Sequence, residues 1–180
     1  ARVWSLSFLE RLKIPAQAMR ALISQTTQPP SSKEALLLAR VSAGSLRALG
    51  RADLLTEALK HADPEVRASA AAVGASPTAL CELLTTEPWP FVRYEATRGL
   101  ERVGGAVALC VSEAIDDEDE RVQARAAQAL GALALDSSWR PTQEQRSLAL
   151  KALTWLAGEA RAPLNARESA FVGLAQWGSL

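Results

Sequence analysis

The stretch DDEDERVQARAAQALG, Asp116 to Gly131, decides the fold of this 180-residue chain. An acidic turn precedes a short amphipathic segment in which Val122, Ala126 and Leu130 fall at i, i+4 and i+8, the spacing of one helical stripe. Alanines beside the stripe are small enough to let another helix come close, and Gly131 stands where a helix can end or bend. The stretch therefore predicts a short helix that packs along an alanine-rich seam.

The same stripe recurs along the chain. Its first residue, here called the register residue, is found at Ile14, Val41, Val66, Val92, Val122 and Ala166. Each register helix follows another apolar helical segment, and sequence periods between about 20 and 50 residues are typical of solenoids. We predict an all-α, right-handed solenoid of about six antiparallel helix pairs, with residues 1–180 forming a single repeat domain. Repeat arrays normally carry polar caps, whereas both ends of this chain are apolar, so we expect either a piece of a longer array or ends that cap themselves.

Prolines mark the starts of the predicted helices. Asp63-Pro64 and Ser76-Pro77 each place an N-cap residue before a proline at the first helical position, and Trp89-Pro90 holds the matching place one pair later. Arg140-Pro141-Thr142 opens the long penultimate helix. No segment alternates with period two, so we predict no sheet.

Composition narrows the function classes. The chain balances 20 Lys and Arg against 20 Asp and Glu, which is unlike the basic bias of a general nucleic-acid binder. No apolar run approaches the roughly 20 residues that span a bilayer, and the chain does not start with a signal-peptide pattern. We expect a cytoplasmic protein without a membrane partner.

The two cysteines occupy similar places in the first helices of adjacent pairs. Cys81 and Cys110 each precede a register valine, and neither their number nor their spacing indicates a disulfide scaffold or a zinc site. We predict buried core thiols.

A resemblance follows from four strings, DPEVRASAAAVG, WPFVRYEATRGL, DERVQARAAQALG and NARESAFVGL, which are similar to second helices of HEAT repeats. Their short spacing resembles that of the bilin-lyase type of HEAT-like repeat, and the resemblance covers most of the chain. It implies a HEAT/armadillo-like superhelix whose second helices line a concave face. Such repeats serve scaffolds, adaptors and a few enzymes, so the resemblance specifies the fold more than the function.

Catalytic and metal-binding patterns are weak. His61 is the single histidine, and its place at the end of a first helix, where positive charge is favoured, explains it without catalysis. The acidic run Asp116 to Glu120 lacks the glycine and the final carboxylate of a calcium loop, since those positions hold Arg121 and Ala127. We interpret the run as a solvated turn, with a basic protein partner as the alternative. We expect no catalytic residue, no metal and no cofactor.

The arginines that follow register residues have two interpretations. Arg67, Arg93 and Arg167 can pair with turn acids such as Asp63 in a ladder between repeats, or they can project into the concave groove. Aromatic and arginine side chains carry most interface energy, so the second interpretation gives a set of candidate partner-binding residues. The candidates are Arg67, Trp89, Arg93, Tyr94, Arg98, Arg125 and Gln128.

The predicted function is a non-catalytic scaffold for protein–protein interaction, with a protein or peptide bound on the concave face. A preformed groove lowers the ordering cost of binding. One alternative is a nucleic-acid-binding protein similar to the HEAT-like DNA glycosylases, and another is a bilin-lyase-like enzyme. A continuous basic groove favours nucleic acid, whereas a groove of mixed charge favours a protein partner.

Overall fold

The computed structural model describes residues 52–178 of the chain, and the register residues Ile14 and Val41 lie outside that range. The described part is helical and contains no strand. Its elements are α1 (Ala52–Ala58), α2 (Pro64–Ala72), α3 (Pro77–Thr86), α4 (Pro90–Val103), a 3-10 helix (Ala106–Asp116), α5 (Glu120–Ala134), α6 (Gln143–Gly158) and α7 (Leu164–Gly178).

These elements form four helix pairs, in which α2, α4, α5 and α7 are the second helices. Each second helix packs against the second helix of the neighbouring pair, and the 3-10 helix packs between α3 and α6. Contacts therefore run from pair to pair along the stack, which is the arrangement of a solenoid. Among the described helices, none is long and apolar enough to cross a bilayer.

The predicted register is confirmed in all four second helices. The register residues Val66, Val92, Val122 and Ala166 are buried. Four residues further along each helix, an alanine is fully buried at the seam, at positions 70, 96, 126 and 170. These small side chains allow the helices to approach one another, and the seam continues through the core as one hydrophobic cluster.

The helix starts follow the sequence signals. Asp63 caps α2, because its Oδ1 atom accepts a 2.9 Å hydrogen bond from the backbone N–H of Glu65. Proline occupies the first turn of α2, α3 and α4. A reciprocal capping box between Thr142 and Gln145 starts α6. Local side-chain chemistry therefore sets these boundaries.

Gly131 does not end α5, which continues to Ala134. A Cβ atom at residue 131 would lie 3.0 Å from the Cα atom of Gly173 in α7, tighter than ordinary packing. The glycine therefore permits a close helix crossing. Beside this crossing, Trp177 is fully buried and its Nε1–H donates a 2.7 Å hydrogen bond to the carbonyl of Leu130.

Cys81 and Cys110 form a disulfide, so the prediction of buried free thiols was wrong. The bond joins α3 to the 3-10 helix, with 5.7 Å between the two Cα atoms. Equivalent positions in stacked repeats are neighbours in space although they are 29 residues apart in sequence. Stacking therefore brings the two sulfur atoms together, which no short sequence spacing indicates.

Candidate functional site

Arg67 links the second helix of one pair to the turn of the next. Its Nε and Nη2 atoms donate to both carboxylate oxygens of Glu87, at 2.8 and 2.7 Å. Its Nη1 atom donates to the backbone carbonyls of His61 and Ala62, at 2.7 and 3.0 Å. The guanidinium therefore ties its own turn to the turn that precedes α4.

Arg93 repeats this arrangement one pair later. It donates to both oxygens of Asp117, at 2.7 and 2.8 Å, and to the carbonyl of Glu87 at 2.9 Å. The side chains of Arg93 and Asp117 are only 7% and 5% exposed. The hydrogen bond that Arg93 donates to Asp117 is the main cause that raises the pKa of Arg93, since it stabilises the charged form.

These contacts decide between the two interpretations of the arginines. Arg67 and Arg93 form a ladder between repeats, and their guanidinium groups face carboxylates rather than the groove. The acid that receives each arginine lies in the following turn, whereas Asp63 caps α2. We therefore remove Arg67 and Arg93 from the predicted partner-binding surface, because their hydrogen-bond donors are already used within the array.

The second helices enclose a groove made of two depressions. One has a volume of about 480 Å³ and lies between α2 and α4, where Glu65, Ser69, Glu95 and Arg98 contribute to its lining. The other has a volume of about 380 Å³ and lies between α4 and α5. Phe91 and Tyr94 line both depressions, so a shared aromatic ridge makes them one continuous surface. We call this surface the second-helix groove.

Charge in the second-helix groove is mixed. Arg98 pairs with Glu95 at 3.4 Å, and Arg102 donates a 2.9 Å hydrogen bond to the carbonyl of Ala72. In the other depression Arg125 forms an ion pair with Glu101. Arg125 also donates to the side-chain oxygen of Gln128 at 3.2 Å. Arginines that already contact acids or carbonyls do not form an uninterrupted basic strip.

The structure brings together four of the seven candidate residues. Tyr94, Arg98, Arg125 and Gln128 line the second-helix groove. Trp89 is 51% exposed in the turn before α4, outside that lining, and its ring centroid lies 6.1 Å from that of Phe91.

Phe91 lines the groove, but sequence reasoning missed it. The available signal was its place three residues before Tyr94, which puts both rings on one helix face.

Two further predictions are refined by the geometry. The Nδ1 atom of His61 accepts a 3.0 Å hydrogen bond from the N–H of Asp63, so the ring contacts the turn before α2. Within the acidic run, Asp119 caps α5 through the N–H of Arg121, while the Asp117 carboxylate is buried against Arg93 and not solvated. Residues 52–178 contain no group of three or more His, Cys, Asp or Glu that could hold a metal ion.

Comparisons with known proteins concern the fold. The sequence matches no protein-family model and no curated protein. A designed armadillo repeat protein in complex with the peptide (KR)4 is 18% identical, with a TM-score of 0.61 over 97% of this chain and 91% of that one. The fold is that of a HEAT- or armadillo-like α-solenoid.

Two engineered proteins have a similar α-solenoid. One is 19% identical, with a TM-score of 0.58, 98% of this chain covered and 89% of that one. The other is 21% identical, with a TM-score of 0.58 and coverages of 99% and 93%. These likenesses confirm the predicted all-α solenoid of helix pairs. At such identities they establish the fold and no site.

Proposed function

We propose that this α-solenoid is a non-catalytic scaffold that binds an extended peptide segment of a partner protein along the second-helix groove. The observation that carries the proposal is the aromatic ridge of Phe91 and Tyr94, which joins two depressions into one surface. Both rings belong to α4, which is fixed between its neighbours by packing and by the ladder. A groove that is already formed lowers the ordering cost of binding.

The polar groups around the ridge favour a peptide. Glu95, Arg98, Arg125 and Gln128 offer both donors and acceptors to a peptide backbone and to side chains of either charge. A phosphate backbone would instead require a run of cations without neighbouring carboxylates. The similar designed protein is in complex with a peptide, which agrees with this use of the fold.

Selection of peptides from a random displayed library on the immobilised protein tests the proposal. The affinity of a selected peptide should fall by about 2 kcal/mol, roughly thirtyfold, in the double variant Tyr94→Ala, Arg98→Glu, because aromatic and arginine residues dominate such interfaces. Lys151→Glu on the exposed side of α6 is the control and should leave affinity unchanged. Equal affinity for all three proteins would remove the groove from the proposal.

A salt series with the same proteins separates the peptide from the nucleic-acid alternative. Phosphate contacts give a steep fall of affinity with salt. We expect a labelled single-stranded oligonucleotide to bind more weakly than the selected peptide at all salt concentrations. The opposite order, with loss in the groove variant, would favour nucleic acid as the ligand.

The disulfide bears on where the scaffold works. Disulfides persist in oxidising compartments and are rare in the cytoplasm, where thiols are kept reduced. The bond between Cys81 and Cys110 therefore argues for an oxidising compartment in place of the cytoplasmic expectation. Alkylation of the protein in its source cells, before lysis, should label neither cysteine. Labelling of both would favour the cytoplasm.

A further inference from the structure

The arginine ladder breaks at its third position. We call the contact between the residue after a register residue and the acid of the following turn a rung. Arg67 with Glu87 is the first rung, and Arg93 with Asp117 is the second. In α5 the corresponding residue is Gln123, and the acid of the following turn is Glu159.

The acceptor side of the third rung is built like the other two. A carboxylate oxygen of Glu87, Asp117 and Glu159 accepts the backbone N–H two residues further along, at 3.3, 2.8 and 3.0 Å respectively. Each acid is the C-cap residue of the first helix of its pair. Glu159 is therefore held in the same way as the two acids that bind arginine.

The donor side of the third rung is incomplete. The Nε2 atom of Gln123 donates a 2.7 Å hydrogen bond to the carbonyl of Asp117, which reproduces one of the backbone contacts of an arginine. Its Oε1 atom is buried and has no hydrogen-bond partner among the described residues. Within residues 52–178, Glu159 takes part in no ion pair. An acceptor amide oxygen and a carboxylate thus lack the cation that the first two rungs contain.

A hollow of about 440 Å³ lies at the third rung. Its lining includes Gln123, Glu159, Asp116, Glu118, Glu120 and Trp155. Among the lining residues that the structure describes, Arg161 is the single cation and is exposed, so carboxylates outnumber it. Trp155 is 43% exposed and presents an aromatic ring beside the acids.

We propose that this hollow binds the guanidinium group of an arginine side chain from a partner protein, which completes the third rung from outside the chain. A guanidinium is a planar fork of donors that matches a carboxylate, and it stacks on aromatic rings. The first two rungs show that this array holds that group through the acid of the turn. The site lies at the turn edge of the solenoid and is independent of the peptide proposed for the second-helix groove.

The test uses one arginine in an otherwise neutral probe, the peptide acetyl-Gly-Gly-Arg-Gly-Gly-amide. Titration into the isotope-labelled protein should shift the indole N–H of Trp155 and the side-chain amide of Gln123 in a saturable manner. The same peptide with citrulline, which keeps the shape without the charge, should bind about tenfold more weakly or worse, as expected when a charge-assisted hydrogen bond is lost. Equal binding of the two peptides would overturn the proposal.

Two variants locate the probe. Gln123→Arg supplies the missing guanidinium from within the chain and should abolish the shift of Trp155. Glu159→Gln removes the acid while keeping its shape and should weaken binding by about tenfold. Gln143→Arg, the same substitution at an exposed position at the start of α6, should bind the probe as the natural sequence does. Unchanged binding by Gln123→Arg, or equal loss in Gln143→Arg, would contradict the site.

The groove double variant Tyr94→Ala, Arg98→Glu keeps the two proposals apart. It should retain binding of the arginine probe while it loses the peptide selected for the groove. Loss of the arginine probe in this variant would place the probe in the second-helix groove and would overturn the turn-edge site. If the groove proposal alone fails, the arginine probe should still shift the indole N–H signal of Trp155.

Discussion

The second and third rungs of the ladder occupy equivalent places in the repeat and have different consequences. At the second rung Arg93 spans the gap to Asp117, and both side chains are buried. At the third rung Gln123 reaches, within residues 52–178, only the carbonyl of Asp117, and a hollow remains in front of Glu159. Equivalent positions in the repeats therefore do not share one role. The same site is structural where the side chain is long enough and open to a partner where it is not.

Removal of the arginine from the second rung should cause the largest change in the free energy of unfolding. Arg93→Leu leaves Asp117 buried without its cation, and breaking such a buried pair lowers the free energy of unfolding by about 3–5 kcal/mol. Gln123→Leu at the third rung removes one hydrogen bond and should lower it by about 1 kcal/mol. Chemical denaturation of the two variants measures both values. Equal losses would show that the rungs do not differ as described.

The disulfide strengthens the part of the array that contains the second rung. Closing a loop of 29 residues stabilises the fold by roughly 3–4 kcal/mol in the chain-entropy account. Reduction of the natural protein, or the double change Cys81→Ser, Cys110→Ser, should therefore lower the free energy of unfolding by that amount. Reductant should not affect the double-serine variant further. A natural protein insensitive to reductant would contradict this contribution.

Repair of the third rung should raise the free energy of unfolding, by less than the losses expected above. Gln123→Arg places a cation opposite Glu159 in a partly exposed hollow, where an ion pair contributes up to about 1 kcal/mol. The gain should disappear when Glu159→Gln is added, and this double-mutant cycle isolates the pair. A gain that persists without the carboxylate would show that the arginine stabilises the chain in another way.

The smallest expected change in stability is the one that acid causes through Asp119, in the turn of the second rung. The hydrogen bond from the Arg121 side chain is the main cause that lowers the pKa of Asp119 below its ordinary value of 3.8. A lowered folded-state pKa gives a stabilisation that is present above the unfolded value and is lost as pH falls through the folded one.

Asp119→Asn should therefore reduce the loss of stability that the protein shows as pH falls below the ordinary aspartate pKa of 3.8. Because Asn and Asp are comparable N-cap residues, the helix start should remain intact. Denaturation at neutral and at acid pH, for both proteins, provides the measurement. Identical pH dependence would exclude a contribution from Asp119.

Local signals made much of the fold predictable. The stripe of Val122, Ala126 and Leu130 predicts its own burial, because helical spacing fixes which side chains share a face. Asp63 before Pro64 predicts a capped helix start for the same local reason. Groove residues were partly predictable: Tyr94 and Arg98 lie one turn apart on one helix face, and that face lines the groove.

The remaining features depend on which repeats become neighbours. Nothing in the sequence around Cys81 specifies Cys110 as its partner, because Cys110 lies one repeat away. In the same way, nothing around Arg67 specifies that it binds Glu87, one repeat away, and not the nearby Asp63. Gly131 was misread for the same reason, because its role is set by Gly173 of α7 and not by its own helix.

The sequence by itself determined the helices, their starts and their buried faces, because backbone hydrogen bonding and side-chain spacing act over a few residues. Tertiary structure alone decided the disulfide, the acid that each arginine binds, the aromatic ridge of the groove and the hollow in front of Glu159. These features depend on the distances between stacked turns, which lie about one repeat apart in the sequence. Such distances depend on how the pairs pack, and packing is a property of the whole array.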